Sequence, residues 1–136
     1  MSIDSIAAIA NSALNAQSQR ITLIAQNLAN ADSVNSPSGG PYQRQLAVFE
    51  PTQVGSGESA GMGVSVAQVV TDTSPPRQSY DPSSPFADDE GMVKEPAVNP
   101  VYEMVDMMQA SRSYQANLSV IQTANTVTLK TLDLLK

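Results

Sequence analysis

Asp88-Asp89-Glu90-Gly91, with Asp81 upstream, is the densest group of carboxylates in this 136-residue chain. Closely spaced carboxylates can hold a calcium ion or share a proton as an acid–base pair. This run lacks the alternating ligand spacing of a calcium loop and its distal glutamate, so a turn into a strand at Met92 is the expectation. As an acid–base pair, Asp88 and Glu90 would need a cleft to raise one pKa, and exposed carboxylates have none. Gly55-Ser56-Gly57-Glu58-Ser59-Ala60-Gly61 has the glycine content of a phosphate cradle. No lysine follows, and Glu58 would repel the anion, which leaves a hairpin or loose tip. Gly63-Val64-Ser65-Val66-Ala67 falls one residue short of a nucleophile elbow. The chain has no histidine to activate that serine, and no cysteine. Zinc sites built on those ligands, Ser–His–Asp and Cys–His arrangements, and disulfides are all excluded. Asn117-Leu118-Ser119 matches a glycosylation acceptor, but a mid-helix position makes the match one of chance. No cofactor, no metal and no enzymatic activity are expected.

The elements that carry these residues are set by glycine and proline. All seven glycines and nine prolines lie between Pro37 and Pro100. Both residue types disfavour helix interiors, so two long helices should flank an irregular, strand-forming insert. Three parts result: an N-terminal helix within 1–35, a Gly/Pro-rich loop and small β region over 36–98, and a C-terminal helix within 99–136. The fold class is mainly α with a small β element, the terminal helices forming an antiparallel coiled-coil pair. Such a chain buries little by itself, because aromatics are 4% of it, Trp is absent and much of its apolar content is alanine. Neighbouring molecules are expected to complete it.

The first helix should run from Ile3 to about Asn30, capped by Ser2 or Asp4. One stripe reads Ile3, Ile6, Ala10, Ala13, Gln17, Ile24, with Ala7, Leu14, Ile21 and Leu28 alongside at intervals of seven. Its opposite face carries Asn11, Ser12, Asn15, Ser18, Gln19, Thr22 and Gln26, hydrogen-bonding groups without charge. A solvated helix face usually carries Lys and Glu, so this one suggests protein on several sides. Strands are expected over Tyr42–Glu50, Val64–Val70, Arg77–Tyr80 and Met92–Lys94, with Gly55–Gly63 as a turn region. Asn99-Pro100 starts the second helix, with Glu103 and Asp106 near its positive end. Its stripe is Val101, Met104, Met108, Ser111, Tyr114, Leu118, Ile121, Asn125, Thr128, Leu132 and Leu135, again near 3–4 spacing. Met104, Met107 and Met108 fit either an adaptable contact surface or ordinary core.

Charge follows the same division. Residues 1–31 and 99–136 together hold four acids and four bases, whereas 32–98 holds nine acids and three bases. Neutral helices can stack without self-repulsion, and the acidic middle keeps the chain soluble. No basic stripe exists, so nucleic acid is not an expected partner. Met1-Ser2-Ile3-Asp4 lacks a positive n-region and no apolar h-region follows, so no cleaved signal peptide is expected. Nor is a membrane span, since no apolar run is long enough.

Two helix-borne segments go beyond pattern. Gln26-Asn27-Leu28-Ala29-Asn30-Ala31-Asp32-Ser33 resembles the N-terminal signature of bacterial flagellar rod and hook proteins. Glu103-Met104-Val105-Asp106-Met107-Met108, then Arg112-Ser113-Tyr114-Gln115-Ala116-Asn117, resembles their C-terminal signature. Between them, Gly39-Gly40-Pro41-Tyr42-Gln43-Arg44, Ser74-Pro75-Pro76-Arg77-Gln78-Ser79-Tyr80-Asp81-Pro82, Glu90-Gly91-Met92-Val93 and Glu95-Pro96-Ala97-Val98-Asn99 are similar to the proximal-rod subgroup.

That resemblance implies a structural subunit of the flagellar basal-body rod in the periplasmic space. The family's terminal helices form an inner coiled-coil layer around the export channel, and the middle packs outside it. Export would proceed through the flagellar type III apparatus. Implied partners are copies of the chain itself, rod proteins of the FlgB, FlgF and FlgG types, and the FliE-type junction protein linking rod to membrane ring. The assembly residues expected are Ile6, Leu14, Ile21, Ile24, Leu28, Met104, Met108, Tyr114, Leu118, Ile121 and Leu132. Asn27, Asn30, Arg112 and Asn117 are expected to fix helix register, as polar groups in an apolar seam do. A secreted helical-hairpin adaptor or effector that binds one other protein is the alternative from a different class.

Overall fold

The computed structural model describes residues 3–35, 39–55 and 60–133. Along the chain come α1 (Ile3–Ala29), β1 (Gln45–Val54), β2 (Gly61–Thr71), β3 (Arg77–Tyr80), β4 (Met92–Glu95) and α2 (Pro100–Asp133). Expectations for a cap at Ser2, for Ser36-Pro37-Ser38, for Ser56-Gly57-Glu58-Ser59 and for Leu135 and Lys136 lie outside the described residues. The architecture is mainly α with two small antiparallel sheets, β1–β2 and β3–β4.

Both helices occupy the stretches free of internal glycine and proline. Asn99 caps α2: its Oδ1 accepts the Val101 N–H at 3.0 Å, and its carbonyl accepts the Glu103 N–H at 3.1 Å. Pro100 follows in the first turn, where a missing N–H leaves no bond unmade. At the end of α1 no left-handed residue is used, since among the described residues only glycines have positive φ. Tightened turns close it instead, with Ala31 N–H donating to Leu28 O and Ser33 N–H to Asn30 O.

The long hairpin pairs Gln45 with Thr71 through to Val54 with Gly61. A shift between Val48 and Phe49 leaves Ala67 as an extra residue on β2, a bulge that bends the ladder. Sequence reasoning begins the second strand at Val64 and assigns Gly61 and Gly63 to a turn; both instead lie inside β2. The reason is proximity to α1. A Cβ at Gly61 would stand 2.7 Å from Ile9 Cδ1, and one at Gly63 would collide with Ser12 Oγ. Ser12 Oγ donates to Ile9 O at 2.7 Å and accepts the Val64 N–H at 3.1 Å, fastening the strand to the helix. The first strand begins three residues later than expected, at Gln45, because the preceding residues turn inward to a polar cluster.

α1 lies between the β1–β2 hairpin and α2 and touches both. The helices run in opposite directions: Asn27, late in α1, meets Glu103, early in α2, while Ile6 shares a groove with Ala124. Among the described residues the buried apolar ones are Ala10, Ala16, Ile24, Ala31, Val93, Pro96, Val98, Ala110 and Ala124. Alanine lets the helices approach closely but removes little apolar area from water.

Candidate assembly site

The sharpest chemistry in the fold is a buried polar node where α1 ends and α2 and β1 begin. Asn27 is 1% exposed. Its Nδ2 donates to Gln45 O at 2.9 Å and to Glu103 Oε2 at 3.2 Å. Its Oδ1 accepts the Gln45 N–H at 2.8 Å and the Tyr42 O–H at 3.0 Å. All four hydrogen-bonding positions of the amide are therefore used. Glu103 is likewise 1% exposed, and its Oε1 accepts from Arg44 Nε at 2.5 Å. Arg44 continues to Asp106 Oδ2 at 3.2 Å, and Arg20 approaches Asp106 Oδ1 at 3.7 Å. Two cations and two anions balance, so the buried carboxylate does not stand as an uncompensated charge. Burial, and then the Glu103 charge, push the Tyr42 phenol above its ordinary range. The node joins the end of α1 to the start of α2 and to the stretch that enters β1.

From this joint α2 extends with two distinct apolar rows. One is inward: Glu103, Met107, Ala110, Tyr114, Asn117, Ile121, Ala124 and Thr128 alternate steps of four and three and are buried or half-buried. The other, displaced by one residue and so by about 100° around the axis, is exposed. It holds Met104 (47% exposed), Met108 (55%), Leu118 (40%) and Leu132 (55%), beside Val101 and Val105. On the far edge of the inward row, Val120 and Val127 line a groove of about 310 Å³ with Ile6. On α1, Asn11, Asn15, Ser18, Gln19, Thr22 and Gln26 are exposed, an uncharged polar face.

Of the assembly residues expected from sequence, Ile24 and Asn27 are buried, and Ile6, Leu14, Ile21, Leu28, Asn30, Tyr114, Asn117 and Ile121 are half-buried. Met104, Met108, Arg112, Leu118 and Leu132 face outward. Among the described residues, only Asn27 of the four polar candidates bridges segments. Asn30 Nδ2 donates to Gln26 O at 2.8 Å and Asn117 Nδ2 to Ser113 O at 2.9 Å, each on its own helix. Glu103 and Asp106, expected near the helix dipole and within the C-terminal signature, and Tyr42 and Arg44, expected only in a strand start and a loop motif, all meet at the node. The signal in the sequence is the scarcity of charge in the terminal parts, where Glu103 and Asp106 are two of four acids and Arg20 one of four bases.

The acidic stretch of 81–91 is a turn. Asp88 Oδ1 accepts the N–H groups of Glu90 (3.0 Å) and Met92 (2.9 Å), and Gly91 turns with φ +76°. Asp81 Oδ1 accepts the Ser83 hydroxyl at 2.6 Å and its N–H at 3.1 Å, and these bonds hold its carboxyl below the ordinary range. No helix among the described residues is long and apolar enough to cross a membrane.

The family described as flagellar basal body rod FlgEFG protein C-terminal matches residues 89–134. The flagellar basal-body rod protein FlgC of Escherichia coli O6:H1 is 48% identical over 134 residues, 98% of each chain. The FlgC protein of Salmonella typhimurium is equally 48% identical over 134 residues and 98% of each chain. That of Borreliella burgdorferi is 38% identical over 134 residues, 88% of each. The chain belongs to the FlgC family of flagellar basal-body rod proteins. As a FlgC-family member it is a structural rod subunit of the basal body. The stretch matched at 89–134 contains Glu103 and Asp106 of the node and the outward row of α2 as far as Leu132.

Proposed function

We propose that this chain builds the proximal rod by polymerising through its terminal helices, which enclose the export channel and carry torque. The supporting observation is the second, unpartnered row on α2. α1 and α2 pair as an antiparallel coiled coil within the inner parts 1–35 and 99–136, and 36–98 packs outside. Each subunit's outward row, with Ile6 and the groove beside it, then meets helices of adjacent subunits. Leu14, Ile21, Ile24, Leu28, Tyr114 and Ile121 hold the pair together, and Asn27 sets its register. Asn30, Arg112 and Asn117 stand where contacts to neighbours would fix alignment. Half-exposed Val101, Met104, Val105, Met108, Leu118 and Leu132 would each contribute about 1 kcal/mol on burial, offset by the cost of association. Repeated head-to-tail contacts of this kind do not close on themselves, and so they build a tube.

The neighbours in this reading are further copies, rod proteins of the FlgB, FlgF and FlgG types, and the FliE-type junction protein. The chain reaches the periplasmic space through the flagellar type III export apparatus. Replacing Leu118 and Leu132 together by Asp tests it in cells lacking their own copy. Motility and completed rods should be lost while circular dichroism of the purified chain stays helical. Normal rods carrying the double variant would refute the proposal.

A further inference from the structure

Met104 and Met108 stand one helical turn apart on the outward row of α2, 47% and 55% exposed, with exposed Val101 and Val105 beside Met104. Met107 and Met92 are half-buried. The chain has no cysteine, so its most readily oxidised sulfurs are thioethers. We infer that Met104 and Met108 form an oxidation site through which a hydroperoxide blocks subunit assembly. This rests on the reading of the outward row as an interface between subunits.

The thioether sulfur attacks the outer oxygen of the peroxide. An S–O bond forms, the O–O bond breaks, and sulfur gives up two electrons to become a sulfoxide. With hydrogen peroxide the departing hydroxide takes the proton that the transferred oxygen carried and leaves as water. The product carries a strong acceptor where the methionine had none. In water that oxygen is solvated. Beside Met104 on the same helix stand Val101 and Val105, which offer no side-chain donor, and burying that sulfoxide without one in a helix contact is unfavourable. Two sulfoxides at i and i+4 lie on the same strip, so both enter the same contact. The unassembled subunit is therefore vulnerable, whereas a subunit already in the rod has these sulfurs covered.

The full-length purified chain, treated with excess hydrogen peroxide and digested, gives the sulfoxide fraction at each methionine by mass spectrometry. Met104 and Met108 should oxidise several-fold faster than Met92 and Met107 in the free chain. Self-association of the oxidised chain, followed by sedimentation, should fall at least about tenfold and return after treatment with methionine sulfoxide reductase. A Met104→Leu, Met108→Leu double variant should keep its association after peroxide, although exposed Met62 still oxidises. Equal association of oxidised and native chain, or a double variant as sensitive as the parent, would overturn the inference. A Met104→Asp variant separates the two layers. If it associates normally, the outward row is not an interface and both readings fall. If it is blocked while the oxidised parent associates normally, the oxidation site alone is wrong.

Discussion

Replacing Asn27 by Ala removes four hydrogen bonds from a side chain that is 1% exposed. Three groups on two other segments lose a shared partner: the Gln45 backbone, the Tyr42 hydroxyl and Glu103 Oε2. Each ordinary bond contributes about 0.5–1.5 kcal/mol net, and groups left buried without partners cost more. Water can enter beside half-buried Tyr42 and Gln45, which lowers the total, so about 4 kcal/mol is expected. For a domain whose whole stability is of order 5–15 kcal/mol that is a large share. At a urea slope of about 1.5 kcal/mol/M, the unfolding midpoint should fall by roughly 2–3 M. Asn30→Ala is the control, because Asn30 bonds only to neighbours on its own stretch of chain, Gln26 O and Ser33. Its loss should cost no more than about 1 kcal/mol. The assay is urea unfolding of both variants by circular dichroism, with slopes compared to confirm like transitions. Equal midpoints for Asn27→Ala and Asn30→Ala would refute the node as the joint of the fold.

Gly63→Ala should lower stability by about 1–3 kcal/mol, because its Cβ must displace Ser12 Oγ from the bond to Val64. A thermal melt identical to the parent's would mean that the hairpin does not dock so closely. Asp81 should titrate below an ordinary aspartate, held down by the Ser83 hydroxyl and N–H. A carboxyl depressed in the folded state stabilises its turn above the ordinary aspartate pKa and loses that contribution as pH falls through the lowered value. Carboxyl NMR titration of Ser83→Ala should move Asp81 back upward; an unchanged curve would remove the hydroxyl as the cause.

Much of this architecture is legible in the sequence because glycine and proline mark the insert so cleanly. Asn99-Pro100 starts α2 where expected, and Arg77–Tyr80 is a strand with the expected bounds. Gly61 and Gly63 mislead because local sequence cannot distinguish a glycine needed for a turn from one needed for close approach to a helix 50 residues away. On α2 the large apolar residues attract attention, yet the inward row is built partly on Ala110 and Ala124 with a buried glutamate at its head. Small residues alternate there with Met107, Tyr114 and Ile121, while Met104, Met108, Leu118 and Leu132 stay exposed. The ion network of Arg20, Arg44, Glu103 and Asp106 draws on three segments, so no window of sequence contains it.

Because the chain has no native cysteine, single cysteines at Leu118 and Leu132 report directly on whether the outward row is covered in the rod. Maleimide labelling should be rapid in the free chain and at least about tenfold slower in isolated basal bodies, recovering when these are dissociated. Equal labelling in free chain and intact basal bodies that contain it would contradict assembly through the second row of α2.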